Sequence, residues 1–267
     1  MNSEKVQEFY ERFPYPDKRI ETKENLQKNA EWIAKLAEKK IPELKGFKML
    51  DAGCGTGEFA CGFALGGAKV LGIDLSAKSI EKAKALAKKF RLENAEFRQR
   101  NLLSEELPEK SFDLVYSMGV LHHNPSPKEA FKKISRLVKP EGIIVIGLYN
   151  SFGRFPVHCK RRIVELLAGK DSEKKLLLAN RLFHKGKPVT EARKAWLADK
   201  YLHPLEKTLT IEEVLDWLEK EGFEFLNAKP EIPERKNLLL LQLEWMISGE
   251  SFFTIAGKKR LNAEDEI

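Results

Sequence analysis

The stretch Met49-Leu50-Asp51-Ala52-Gly53-Cys54-Gly55-Thr56-Gly57-Glu58-Phe59 constrains the fold more than any other part of the chain. A short apolar run ends in an acid, three glycines alternate with small residues, and apolar positions at helical spacing follow. That order predicts a buried strand, a tight turn and the first turn of a helix. Glycine tolerates positive φ and lets backbone come close to a ligand. The helix start beyond it offers unpaired N–H groups and the positive end of the dipole.

Loops of this kind serve several ligands. A phosphate-binding P-loop ends in Gly-Lys-Ser/Thr, whereas Thr56-Gly57-Glu58 has no lysine. The dinucleotide fingerprint is G-x-G-x-x-G, and here the third glycine comes one residue early. A second acid sharpens the reading. Val70-Leu71-Gly72-Ile73-Asp74-Leu75-Ser76 has the pattern of a second strand ending in a carboxylate, seventeen residues beyond Gly57. A carboxylate there can accept hydrogen bonds from both hydroxyls of a ribose.

From Phe47 to Asn150 the chain alternates strand and helix, the signature of a parallel sheet. Strands are expected at Lys48–Asp51, Lys69–Ile73, Ala95–Arg100, Phe112–Ser117 and Gly142–Leu148. Helices are expected at Glu58–Leu65, Ser79–Phe90 and Pro127–Leu137, with Ser76 capping the second. Lys139-Pro140-Glu141-Gly142 reads as a turn. Further on, Thr210-Ile211-Glu212-Glu213 fits a capping box that opens a helix running to Glu221. Phe223–Leu226 and Phe252–Ala256 read as two more strands, with a helix over Asn237–Ile247 between them.

These segments resemble the class I S-adenosylmethionine-dependent methyltransferase family. The resemblance rests on Leu50 to Gly57, Gly72 to Ser76, Ser111-Phe112-Asp113-Leu114-Val115-Tyr116-Ser117, Val120-Leu121-His122-His123 and Leu137-Val138-Lys139-Pro140-Glu141-Gly142. It implies an α/β fold: an open, doubly wound, seven-stranded and mostly parallel sheet with its last strand antiparallel. It also implies S-adenosyl-L-methionine as cofactor, at the carboxyl ends of the first four strands. Carried over residue by residue, Asp51, Gly53 and Cys54 lie at the methionine end, and Gly55 and Gly57 give backbone access. Asp74 takes the ribose hydroxyls and Leu75 packs on the adenine. Asn101, beside Leu102, stands where the family often has an aspartate that accepts from the adenine amino group. Ser117, Met118 and Gly119 line the side nearest the methyl group.

His122 and His123 fall at the end of the fourth strand. Each reads either as a general base or substrate ligand, since imidazole titrates near neutrality, or as a histidine bonded to a neighbouring loop. Phe9-Tyr10-Glu11-Arg12-Phe13-Pro14-Tyr15-Pro16 is rich in aromatics. It reads as an anchor for the first helix, and equally as a lid that brings Tyr10 and Tyr15 over the cofactor and substrate. His158 and Cys159 make a poor metal pair, two adjacent residues with no further ligands, and no metal site is expected.

Four segments follow from this: an N-terminal helical cap over 1–46, a cofactor-binding core over 47–150, a helical insertion over 151–207, and completion of the core sheet over 208–267. The insertion holds fourteen Lys/Arg and six Asp/Glu, a balance of +8 within a chain total of +7. Its helices, at Arg161–Leu167, Glu173–Phe183 and Glu191–Tyr201, carry apolar stripes that include Leu176, Leu177, Leu182, Trp196 and Leu197. They read as a lid over a small-molecule acceptor, with Arg161, Arg162, Lys174 and Lys175 solvated. A tRNA or other nucleic-acid acceptor bound by these cations is the alternative, and a non-catalytic nucleotide-binding relative is a second. The three cysteines have no paired spacing, the start of the chain has no apolar leader pattern, and no apolar run approaches the ~18 residues of a membrane span. The expectation is a cytoplasmic protein with no membrane span.

Overall fold

The computed structural model describes residues 2–16, 20–104, 106–233 and 237–261. Its strands form one seven-stranded sheet: β1 (Lys48–Ala52), β2 (Lys69–Asp74), β3 (Ala95–Gln99), β4 (Phe112–Met118), β5 (Val138–Tyr149), β6 (Phe223–Lys229) and β7 (Phe252–Lys259). Their spatial order is β3-β2-β1-β4-β5-β7-β6. The first five strands run parallel, and β7 enters antiparallel to both β5 and β6. The seven-stranded sheet with an antiparallel last strand is therefore as the sequence implied. The strand order reverses beside β1, where β2 lies on one side and β4 on the other, and open α/β sheets bind ligands at such a point.

Helices cover both faces. On one side α2 (Lys23–Leu36), α3 (Glu58–Leu65) and α4 (Ala77–Phe90) bury Leu26, Ala30, Ile33, Phe63 and Ile80 against Met49, Val70 and Tyr116. On the other, α5 (Pro127–Ser135), α9 (Ile211–Lys220) and α10 (Leu238–Ser248) bury Phe131, Ile134, Trp217, Leu218 and Trp245 against Leu50, Val115, Ile144 and Ile255. The predicted caps form. The Ser79 N–H donates to Ser76 Oγ at 3.1 Å. Thr210 and Glu213 close a reciprocal box, with the Thr210 N–H 2.7 Å from Glu213 Oε2 and the Glu213 N–H 3.2 Å from Thr210 Oγ1.

Two local expectations change. The Lys139–Gly142 turn lies within β5 as an irregularity: Glu141 takes φ +62°, and the register with β4 shifts between Phe112 and Leu114. Strand pairing continues across it, which a local turn signal does not reveal. The first insertion helix is far longer than Arg161–Leu167, since α6 spans Ser151–Ala168. The helix is started by Asn150, whose Oδ1 accepts from the Phe152 and Gly153 N–H groups at 3.0 and 2.9 Å, and it carries Pro156 within it. Gly153 is there for close packing, because a Cβ would collide with the Glu250 carbonyl.

The remaining helices are α1 (Asn2–Arg12), α7 (Ser172–Phe183) and α8 (Glu191–Leu202). They share a separate apolar cluster in which Phe13 meets Val164, Leu176, Ala179, Leu197 and Tyr201, with Phe9, Tyr15 and Trp196 packed against it. The N-terminal aromatics thus anchor the first helix to the insertion helices rather than directly to the sheet. Leu177 and Leu182 do not join this cluster and are exposed. They flank the buried face of α7, which Leu176, Ala179 and Asn180 form, on its two sides.

Candidate functional site

One cleft opens at the carboxyl ends of β1, β2 and β4, with a cavity volume of about 480 Å³. Its floor is the glycine loop. The Gly53 and Cys54 N–H groups donate to the Ile73 carbonyl at 2.8 and 2.9 Å, which ties the loop to the end of β2. The Gly55 N–H donates to Asp74 Oδ2 at 2.9 Å, and the Ser76 N–H to Asp74 Oδ1 at 2.9 Å. Gly53, Gly55 and Gly57 all have positive φ. A Cβ on Gly55 would meet the Tyr15 carbonyl, so the N-terminal segment lies directly on the loop. The Ala77 N–H, at the start of α4, donates to Glu11 Oε1 at 2.5 Å and fixes α1 above the same edge.

Asp51, Gly53, Cys54, Gly55, Asp74, Leu75, Asn101, Leu102, Met118, Gly119, His123, Tyr10 and Tyr15 all line this cleft. Asp51 is buried, and its Oδ2 has no hydrogen-bond partner. Burial above all, helped by the charges of Asp74 and Glu58, pushes its carboxyl well above the usual range against the lowering effect of the neighbouring Tyr116 hydroxyl. Asp74 is also raised by burial, against the lowering effect of its two backbone bonds. The Asn101 Oδ1 already accepts from the Leu103 N–H at 2.9 Å, which leaves the amide oxygen one lone pair for another donor.

Three predicted site residues do not face the cleft. Gly57 turns toward Ala83 and Phe97 and serves the packing of α3 against α4. Ser117 is fully buried and donates to the Ala52 carbonyl at 2.7 Å. His122 is fully buried, with its ring 4.2 Å from that of His123 and 4.1 Å from that of Tyr149. Neither of its nitrogens has a hydrogen-bond partner. Side chains alternate along a strand, and that geometry separates Ser117 from Met118 where the sequence grouped them.

His123 is the histidine at the cleft. Its Nδ1 lies 2.8 Å from the Leu205 carbonyl, which can only accept, so Nδ1 carries the proton and Nε2 has a free lone pair. Burial lowers its pKa below the ordinary imidazole value, against the opposing charge of Asp199. Nε2 stands 3.8 Å from Asp199 Oδ1. Asp199 accepts from the Tyr10 hydroxyl at 3.2 Å and the Tyr149 hydroxyl at 2.9 Å, so one carboxylate joins α1, β5 and α8 over the cleft. Burial and the Asp199 charge push both tyrosine hydroxyls upward, which keeps them protonated as donors.

His123, Asp199 and His203 bring potential ligand atoms within 4.8 Å of one another. The geometry suits hydrogen bonding better than a cation. The two imidazoles are stacked, with centroids 3.7 Å apart and planes at 29°, so their in-plane lone pairs run side by side instead of converging. His203 Nδ1 accepts from the Leu205 N–H at 3.2 Å, which puts the ring proton of the neutral form on Nε2.

Several lining residues had no local motif: Tyr149, Arg154, Asp199, Lys200, Trp196 and Phe252. Glu206 lies just behind them. Arg154 stands 3.7 Å over the Tyr149 ring and grips Glu206 through two bonds of 2.8 Å. His158 Nε2 and Arg161 Nη1 reach the same carboxylate at 2.8 and 3.1 Å. Arg161 is therefore mostly buried, not solvated as the sequence suggested, whereas Arg162 and Lys174 are exposed. Asp199 did carry a signal: it is an acid set within the apolar stripe formed by Trp196, Leu197, Ala198 and Tyr201.

Comparison with known proteins agrees with this architecture. A family model described as a methyltransferase domain matches residues 43–220. The chain is 38% identical over 121 residues to a ubiquinone biosynthesis O-methyltransferase of Paracidovorax citrulli, covering 45% of this chain and 48% of that protein. It is 38% identical over 113 residues to the protein of that name from Rhodopseudomonas palustris, covering 42% and 44%. The chain thus spans about half the length of the curated relatives it matches. Among solved structures, magnesium protoporphyrin IX methyltransferase from Synechocystis PCC 6803 with bound SAH gives a TM-score of 0.61 at 14% identity, covering 97% of this chain and all of that one. An S-adenosylmethionine-dependent methyltransferase from Mesorhizobium loti gives 0.56 at 23% identity, covering 88% and 100%. At these identities the structural likeness is one of fold.

Proposed function

This chain belongs to the family of methyltransferase domains, and we propose that it transfers a methyl group from S-adenosylmethionine to a small-molecule acceptor. The observation that carries the reading is the pairing, in one cleft, of the acid-and-glycine floor with a base-competent His123 beneath a helical cover. The floor fits the cofactor. Asp51 Oδ2 is a buried acceptor without a partner, suited to an ammonium group. A Cβ at Gly119 would meet nothing within 4 Å, so the backbone there leaves open space in the cleft. Asp74, held by two backbone N–H groups, keeps lone pairs for ribose hydroxyls, and Leu75 and Leu102 offer apolar contact to a base.

S-adenosylmethionine supplies an electrophilic methyl group whose bonding pair returns to sulfur as the acceptor's lone pair takes the carbon. The protein's share is alignment and exclusion of water. His123 Nε2 is the atom that accepts a proton from a hydroxyl acceptor, and the Leu205 carbonyl holds its tautomer. Tyr10 and Tyr15 close the cleft from the N-terminal side. The basic insertion gives less support to a nucleic-acid acceptor than its charge count suggests, because Arg154 and Arg161 are committed to Glu206 and Arg162 pairs with Glu165.

A ligand at a hundred times its dissociation constant stabilises a fold by ~2.7 kcal/mol. S-adenosylmethionine and S-adenosylhomocysteine are expected to raise the melting temperature accordingly, and NAD is not. Equal shifts with NAD would overturn the cofactor assignment. Asp74→Asn retains the size of the side chain and removes its charge, and should weaken cofactor binding by about tenfold. His123→Ala is expected to leave cofactor affinity within a few fold while transfer to a hydroxyl acceptor falls by ~10². Full turnover in that variant would exclude a histidine base.

A further inference from the structure

The two ends of the cleft differ in charge. Asp51 and Asp74 stand at the glycine-loop end. At the other end, beneath α8, three cations, Arg154, Arg161 and Lys200, stand against two carboxylates: Glu206 is taken by both arginines, and Asp199 accepts from two tyrosine hydroxyls. Lys200 lines this end, and among the described residues it has no carboxylate within 4.0 Å. Its ammonium rests 4.9 Å over the Trp196 ring. Tyr149, Trp196 and Phe252 make the surrounding wall largely aromatic.

We propose that Lys200 anchors an anionic group of the methyl acceptor, and that the acceptor is a small unsaturated or aromatic carboxylic acid. This rests on the methyltransferase reading above and names its substrate class. A half-buried ammonium with no carboxylate in direct contact, and only the more distant Glu206 opposite it, is costly to keep charged. Burial, reinforced by Arg154 and Lys160, pulls its pKa down to about 8. A ligand carboxylate reverses that cost, because it brings the missing opposite charge and a charge-assisted hydrogen bond. A neutral ligand brings neither. The flat walls select the body of the acceptor and the ammonium selects its head group.

The test uses the full chain saturated with S-adenosylhomocysteine. Benzoic, cinnamic and phenylacetic acids are titrated in turn, each beside its carboxamide. At least one acid is expected to bind about tenfold or more tightly than its amide. Lys200→Met should bring that acid down to the level of the amide, and Lys200→Arg should retain most of the preference. Acids that bind no better than their amides, or not at all, overturn the proposal. A preference that survives Lys200→Met overturns it as well. S-adenosylhomocysteine binding is read first on both wild type and variant: its absence in the wild type would defeat the methyltransferase reading, whereas its presence without an acid preference defeats only the acceptor assignment.

Discussion

Glu206→Ala is expected to destabilise the fold by about 3–5 kcal/mol, the usual cost of removing one partner from a buried ion pair. The side chains of Glu206 and Arg154 are each only 3% exposed. Burial alone would raise the Glu206 carboxyl, but the hydrogen bonds of Arg154 and His158 and the charge of Arg161 outweigh it and hold the group well below the usual carboxylate range. A carboxylate with a depressed pKa contributes stability that is present above its unfolded value and lost as the pH falls, so at neutral pH the whole contribution is in place. Without the carboxylate, the Arg154 guanidinium is left buried over the Tyr149 ring with no carboxylate bonded to it, and only the more distant charge of Asp199 remains. The same carboxylate holds the segment after α8 in place. Within that segment Leu205 fixes His123, and the Lys207 N–H donates to the His122 carbonyl at 2.8 Å. Denaturant unfolding measures the loss. A decrease below about 1 kcal/mol would show that water reaches the cluster, and the triple variant Arg154→Met/Arg161→Met/Glu206→Leu should recover most of the stability by removing both guanidinium groups together with their carboxylate.

Stability is also expected to fall steeply below about pH 6.5. His122, His123 and His203 are all buried, and burial lowers the pKa of each, that of His203 to about 2. The unfolded chain takes up protons near pH 6.5 more readily than the folded chain does, so stability is lost as the pH drops through that value. Each imidazole that stays neutral in the fold contributes ~1.4 kcal/mol per pH unit, or about 4 kcal/mol per unit for the three together. Asp51 and Asp74 act in the opposite direction. Their raised pKa values mean that the folded chain takes up protons there, which offsets at most two of the three histidines. With all three imidazoles neutral, a net loss of ~1.4 kcal/mol per unit remains. The three rings are in contact, so the titration belongs to the group and not to one residue. His122→Phe keeps a planar ring between His123 and Tyr149 and should reduce the slope by one proton's worth. An unchanged slope would mean that imidazolium forms inside the fold.

The chain order alone determined the sheet and its ligand edge. Alternating strands and helices, the acid-glycine loop and the second acid at Asp74 are local patterns, and local patterns fix where backbone turns and where carboxylates meet the end of a strand. Capping residues were legible for the same reason, since Ser76, Thr210 and Glu213 act on N–H groups two or three residues away. The floor of the cleft was therefore readable almost residue by residue. Gly57 and Ser117 were the exceptions, because the facing of a side chain depends on what packs against it.

The acceptor side was not readable in this way. Two adjacent histidines have the same local sequence signal, yet one is sealed between aromatic rings and the other presents Nε2 to the cleft. That choice is made by the Leu205 carbonyl, 82 residues further along the chain. Asp199 acquires its place only when Tyr10 and Tyr149, 189 and 50 residues distant, donate to it. The +8 balance of the insertion could not distinguish cations that face water from those that turn inward to Glu206. The sequence by itself determined the sheet, the glycine loop and the two carboxylates at its edge. Tertiary structure decided which groups complete the site, because burial, charge pairing and tautomer depend on neighbours that only folding brings together.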